Sequence, residues 1–355
     1  MKVAIISYPM LFQNSGGLQV QVSETAAALQ RQGIEARLID PVRERLANFD
    51  IVHVFSAING NHRAVEQARA LGLPVVVSPL IRPHWTARLG WVARRLDALV
   101  GRLTQWNVKT EYRHIASCLQ GADAVIALGD MEKTSIVDAF GIPSERVRVV
   151  PNGIPGRFFN ADPAQFCIDF GVAPGYVLSV ATVSPHKNQL ALVKALEGTG
   201  QQVVLIGPLP GGDSGYLDLL LAYPHVRYVG PLDYESPLLA SAYAAASVFC
   251  LPALSEVMPL SVMEALAAGT PVVMTREHCM DLSLMRGVVC EVSPQDEAGI
   301  RRAVLAFFDK PPPEAHCRDS VAHYSWDAVA DAIARCYREV VGSHELGARA
   351  SRESQ

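Results

Sequence analysis

A chain of 355 residues carries 31 Lys and Arg against 35 Asp and Glu, and its formal charge of −4 gives no reason to expect a nucleic-acid partner. Half of its residues are hydrophobic and 19% are charged, a composition that fills large cores and excludes a disordered chain. The length suggests about two domains, and no apolar run reaches the roughly 18 residues needed to span a bilayer.

In chain order, KVAIISYP (2–9) reads as a strand, with no apolar segment and cleavage site of a signal peptide ahead of it. A loop NSGG follows, then a helix from Leu18 with Leu18, Val22, Thr25 and Leu29 on one stripe. DIVHVFS (50–56), PVVVSP (74–79) and ADAVIALG (122–129) are further buried strands with helical segments between them. At RVRVVPNGIPG (146–156) the pattern halts in a Pro/Gly-rich turn. It restarts with YVLSVAT (176–182), QQVVLIGP (201–208), VRYVGPL (226–232), SVFCLPA (247–253), PVVMTR (271–276) and GVVCEV (287–292). Near-continuous Val and Ile argue for strands covered on both faces, hence two doubly wound α/β domains with parallel sheets and a boundary near residue 154. YSWDAVADAIARCYREVV (324–341) is an amphipathic helix, and 342–355 reads as a frayed tail. The seven cysteines form no CxxC pair and no zinc spacing; they read as buried free thiols of a cytoplasmic protein.

Ligands of open parallel sheets bind beyond the carboxyl ends of the strands. SEVMPLSVMEALAAGTPVV (255–273) places Glu256 in the loop after SVFCLPA and Glu264 inside the next helix, with Pro259 at its first position and Gly269 as its stop. The amides of Met258, Leu260 and Ser261 at that helix tip suit a phosphate, and a carboxylate on either side suits hydroxyls. The plain alternative is one surface glutamate and one capping glutamate. In SVATVSPHKNQLALVKAL (179–196), the loop brings His186 and Lys187 to a strand end, where a leaving diphosphate needs a cation; a solvated lysine ahead of an Asn188 cap is the competing reading. Gly16 and Gly17 could let backbone approach a ligand closely, or simply make a tight turn.

Taken together, these motifs resemble the retaining glycosyltransferases of family 4, which have the GT-B architecture of two Rossmann-like domains facing a cleft. The resemblance runs from the GG loop, through Pro151–Asn152–Gly153, to Ser325, Trp326 and Asp327, and is most specific from Glu256 to Val273. It implies a nucleotide-sugar donor (UDP- or GDP-linked), a glycan or lipid-linked acceptor on the 1–154 domain, and a donor domain at 155–324. It implies that helix 325–341 returns to the first domain and that no metal or other cofactor is required. It assigns Glu256 to the donor sugar, Glu264 to the ribose, Lys187 to the diphosphate, and Gly16 and Gly17 to the glycine loop. Surface polysaccharide or lipopolysaccharide assembly is a common role in the family. The sequence departs from the pattern in three places. Thr182 stands where many members have an arginine, leaving His186 as a partial substitute. Val257 follows the first glutamate in place of glycine. Ser78 and Pro79 stand where a sugar-contacting histidine is common; His84 and His53 are the nearby candidates, though His84 reads first as a surface histidine and His53 as a hydrogen-bonded core histidine. The rival readings are a nucleotide-sugar epimerase and a non-catalytic nucleotide-binding subunit.

The segment 82–106 sets Arg82, Arg88, Arg94, Arg95 and Arg102 with Trp85, Trp91 and Trp106 against a lone Asp97. Leu89, Val92, Leu96, Leu99 and Leu103 keep helical spacing. Two readings follow: an interfacial helix on the anionic cytoplasmic leaflet, or an ordinary amphipathic helix packing its leucines on the sheet.

Overall fold

The computed structural model describes residues 1–13, 16–210 and 214–353. The chain divides into two compact units, the main cuts falling between Asn152 and Gly153 and between Ser325 and Trp326. The two crossing segments lie side by side: Ile154 bridges Ser325, and its amide donates to the Tyr324 carbonyl at 3.1 Å.

In the first unit, β1 (Lys2–Ile6), α1 (Gly17–Arg31), β2 (Glu35–Leu38), β3 (Ile51–Phe55), α2 (His62–Ala70) and β4 (Val75–Ser78) come in turn. Then follow α3 (Ala87–Leu103), α4 (Glu111–Gln120), β5 (Ala124–Ala127), α5 (Asp130–Phe140) and β6 (Val147–Val149). The six strands are all parallel in the order β2-β1-β3-β4-β5-β6. The apolar runs of β1, β3, β4 and β5 are buried almost without a break, as strands covered on both faces must be. Two strands escaped the sequence reading. β2 (EARL) and β6 (VRV) are short outer strands, each burying a single residue, so neither carries an apolar signal.

The second unit has α6 (Ala164–Phe170), β7 (Val177–Val180), α7 (Gln189–Leu196), β8 (Val203–Ile206), α8 (Ser214–Leu221), β9 (Val226–Gly230) and α9 (Pro237–Ala244). It continues with β10 (Val248–Leu251), α10 (Leu260–Ala268), β11 (Val272–Thr275), β12 (Val289–Val292), α11 (Glu297–Asp309) and α12 (Glu314–Val321). Its sheet is also parallel, in the order β12-β11-β10-β7-β8-β9. From β7 the chain winds outward through β8, and from β10 it winds the other way through β11. The topological switch point therefore lies between the carboxyl ends of β7 and β10. Gly207, after β8, has φ +146°, and a Cβ there would overlap the Ala181 carbonyl, so only glycine lets the β7 and β8 ends approach this closely.

The last helix, α13 (Trp326–Glu353), belongs to the first unit. Asp327 pairs with Arg31 at 2.7 Å, Asp331 accepts from Gln32 at 2.9 Å, and Tyr337 is fully buried. The frayed tail expected from 342 is instead helical through 353. The segment contains no proline, and its Ala, Glu, Arg and Leu favour helix, outweighing Gly342 and Gly347. Among the described residues, no helix is long and apolar enough to cross a membrane. All seven cysteines are free, and burial pushes the Cys118 thiol up to about 12, where it is inert.

Glu132, unremarked in the sequence, sits fully buried in the first turn of α5. Its Oε1 accepts from the Ile81 amide at 2.6 Å and its Oε2 from the Leu128 amide at 2.7 Å. These bonds hold the backbone beyond β4, where Leu80 takes a left-handed φ of +59° that costs on the order of 1 kcal/mol or more. Burial raises the Glu132 pKa to about 7, opposed by the two amides. The folded chain thus takes up a proton between pH 7 and 4.5 that the unfolded chain does not. This group's contribution is fully present below the unfolded value and falls as pH rises to the folded one. Glu132→Gln offers one of the two amides a donor instead of an acceptor and should lower stability by about 1–3 kcal/mol. Denaturant melts should show the wild type's advantage over Glu132→Gln shrinking from pH 5 to pH 7.5; an advantage that grows with pH would contradict this assignment.

Candidate active site

Two loops meet at the switch point of the second sheet. The first, after β7, turns back at Ser184, whose carbonyl accepts from the amides of Lys187 and Asn188. The second runs from Pro252 to Pro259, after β10. Asn188 adopts the left-handed conformation (φ +59°), which asparagine tolerates better than most residues. It does not cap α7 with its side chain, as the sequence suggested. Its Nδ2 donates instead to the carbonyls of Pro252 at 3.0 Å and Pro294 at 2.8 Å. Next to it, buried Gln189 spans the loop from within. Its Nε2 donates to the Thr182 carbonyl at 2.9 Å, and its Oε1 accepts from the Ser184 amide at 3.3 Å.

The two loops are also stitched directly. The Leu254 amide donates to the His186 carbonyl at 2.9 Å, and His186 Nε2 lies 3.2 Å from the Ser255 carbonyl, to which it donates. His186, expected to stand in for a missing cation, is thus a brace between loops. Lys187 Nζ lies 2.6 Å from Glu256 Oε1, their side chains being 25% and 10% exposed. The ammonium has three protons, so the pair leaves it two further donors for a ligand. Behind Glu256, its own amide donates to the Glu277 carbonyl at 2.7 Å, and the Cys279 amide donates to the Val257 carbonyl at 2.9 Å. Residues 277–279 therefore fix the backbone that carries the Glu256 carboxylate. His278, in the same turn, accepts from the Met280 amide at Nδ1, so its proton sits on Nε2, 3.0 Å from Glu291.

α10 begins one residue later than expected: Pro259 precedes it in extended conformation, and the helix starts at Leu260. The first in-helix bond is Val262 N–H to the Pro259 carbonyl at 3.2 Å, so the Leu260 and Ser261 amides belong to the helix's unsatisfied N-terminal donors. Met258 and Leu260 are buried and Ser261 is half-buried. Gly269 ends the helix at φ +95°. Glu264 faces inward, 4% exposed, and its Oε2 accepts from the Tyr243 hydroxyl at 2.7 Å. Ser261 also hydrogen-bonds Tyr243, and burial with the adjacent Glu264 charge drives that phenol's pKa well above its usual value. No sequence pattern marks Tyr243, which lies twenty-one residues away on α9.

The remaining candidates come earlier in the chain. Gly17 opens α1 and Gly16 precedes it, and a Cβ built at either would meet no atom within 4 Å. Asn14 and Ser15 of that loop lie outside the described residues, as do 211–213 of the loop GPLPGGDSG. His53 is ruled out as a sugar contact. It is fully buried against Phe55, with Nδ1 2.6 Å from the Tyr337 hydroxyl and Nε2 2.9 Å from Ser78 Oγ. Burial lowers its pKa to about 3, so it is a neutral core residue tying β3 and β4 to α13. His84 is exposed beside Trp85, its pKa lowered by partial burial and by Arg82.

The described residues contain no cluster of three His, Cys, Asp or Glu in metal-binding geometry. A carboxylate paired with an ammonium beside a helix N-terminus is an arrangement that can hold hydroxyls next to a diphosphate.

The model of the glycosyl transferases group 1 matches residues 174–310, and that of glycosyltransferase family 4 matches residues 36–155, so that together they account for most of the chain. The chain belongs to glycosyltransferase family 4. This transferase is 25% identical to a D-inositol 3-phosphate glycosyltransferase of Actinosynnema mirum, over 91% of this chain and 92% of that one. It is 26% identical to an O-antigen chain mannosyltransferase B of Escherichia coli, over 60% of this chain and 55% of that one. The Anabaena protein HepE, solved in complex with UDP-glucose, superposes with a TM-score of 0.70 at 15% identity, covering 96% of this chain and 100% of the other. The transferase has the GT-B fold.

Proposed function

We propose that the protein transfers a hexose from a nucleoside diphosphate hexose, UDP- or GDP-linked, to a glycan or lipid-linked acceptor of surface polysaccharide or lipopolysaccharide assembly. The anomeric configuration is retained. The observation that carries the proposal is the Lys187–Glu256 pair, at 2.6 Å, held beside the α10 N-terminus at the sheet's switch point. The Leu260 and Ser261 amides and Lys187 bind the diphosphate, stabilising the charge that grows as the sugar departs. Glu256 holds the sugar hydroxyls, and Glu264, positioned by Tyr243, serves the ribose. The departing phosphate takes the acceptor's proton, and no metal takes part. The HepE complex with UDP-glucose supports a nucleotide-sugar donor, and the O-antigen mannosyltransferase supports a glycan acceptor.

A panel of UDP-, GDP- and ADP-hexoses, assayed for nucleotide release with and without EDTA, tests this. One donor should release its nucleotide slowly without acceptor and with EDTA present, and NMR of the transferred product should show the donor's anomeric configuration. Interconversion of the sugar with no nucleotide released would mark an epimerase. Binding without turnover across the panel would mark a non-catalytic subunit.

A further inference from the structure

Helix α3 wears its amphipathicity inside out. Its buried residues are Gly90, Asp97 and Gly101. Gly90 lies so close to α5 that a Cβ would overlap the Ala139 carbonyl, and Trp106 folds its ring over Gly101. Asp97, the helix's single acid, is taken up by the Thr110 hydroxyl at 2.7 Å and by Arg113 at 3.8 Å. A seam of small residues therefore docks the helix, and the leucines face away from the core. Leu96, Leu99 and Leu103 are 55%, 54% and 77% exposed, and Leu89 and Val92 are exposed beside them. Along one flank of this stripe run exposed Arg88, Arg95 and Arg102, seven residues apart, with Trp91 (59% exposed) on the same side and its ring against Arg95.

Monomeric proteins rarely leave so long an apolar stripe in water. Of the expected tryptophans, Trp85 packs on Phe140 and Trp106 covers Gly101, so Trp91 is the one of these three that stands on the stripe's flank. We infer that the outward face of α3 lies in the interface of an anionic lipid bilayer, its leucines among the acyl chains and its arginine row on the headgroup phosphates. Charge decides against a second copy as the occupant. Leu89, Val92, Leu96, Leu99 and Leu103 have the spacing of a short coiled-coil seam, whose flanks normally pair opposite charges. Here one flank is arginine and the other is Ala93 and Val100. A parallel pairing gives the arginines no acid, and an antiparallel one sets them against themselves. A bilayer bearing phosphates supplies both the apolar phase and the counter-charge.

The inference is independent of the donor assignment, since it concerns the first unit alone. Flotation with phosphatidylcholine vesicles, with and without phosphatidylglycerol, tests it. The wild type should float with the anionic vesicles at low salt and stay down with the neutral ones. Leu96→Asp/Leu99→Asp should abolish flotation while retaining the wild-type melting transition, because both positions are exposed. Arg88→Gln, Arg95→Gln and Arg102→Gln should each weaken binding about fivefold. Wild type left at the bottom of the gradient with anionic vesicles would overturn the inference, as would unimpaired flotation of the leucine variant. A wild-type dimer in sedimentation equilibrium that the leucine variant dissolves would assign the face to self-association instead.

Discussion

Glu256→Gln is expected to lower kcat by about 10²- to 10³-fold, with a smaller rise in the KM for the donor. The exchange keeps the shape of the side chain and the backbone bond from its amide to the Glu277 carbonyl. It removes the charge that pairs with Lys187 at 2.6 Å and that would strengthen hydrogen bonds from sugar hydroxyls. Because Lys187 remains 25% exposed, its ammonium can recover solvation, and the variant should melt close to the wild type. Steady-state kinetics with the donor identified in the panel provide the check. Turnover within a few-fold of the wild type would remove Glu256 from the reaction.

Lys187→Ala is expected to cost a comparable factor in kcat/KM, about 10²- to 10³-fold, and also to weaken binding of the free nucleoside diphosphate. The second effect separates the two residues. On the proposed assignment Lys187 faces the phosphates whether or not a sugar is attached, whereas Glu256 serves the sugar. Calorimetry with the free diphosphate should therefore show a large loss for Lys187→Ala and a small one for Glu256→Gln. Equal losses in both variants would mean that the ion pair organises the loops and that neither group has a separate task. Lys187→Arg should recover only part of the affinity, since a planar fork cannot occupy the place of a compact ammonium beside Glu256.

Much of this was legible in the chain. Val- and Ile-rich runs announce buried parallel strands, and a loop acid, a proline and a glycine stop announce the α10 tip. What the chain conceals is long-range. Asn188 reads as a helix cap because its true partners, the Pro252 and Pro294 carbonyls, are far away in sequence. Tyr243 is silent until the fold brings it onto Glu264. His53 reads as a hydrogen-bonded core histidine and is one, but its partner Tyr337 on α13 is too far off in the chain to be read. On α3, spacing establishes that five apolar residues share a face but not which way that face turns. Gly90 and Gly101, the residues that permit close helix contact, settle the direction, and they attract no attention in a hydrophobic pattern. β2 and β6, at the sheet's edges, bury too little to leave a mark.

The most direct measurement is a crystal structure of the protein with the nucleoside diphosphate it binds most tightly. The pyrophosphate oxygens should lie within hydrogen-bond distance of the Leu260 and Ser261 amides and of Lys187 Nζ, at the carboxyl ends of β7 and β10. A diphosphate bound elsewhere on the chain, with the α10 tip and Lys187 left to water, would contradict the assignment.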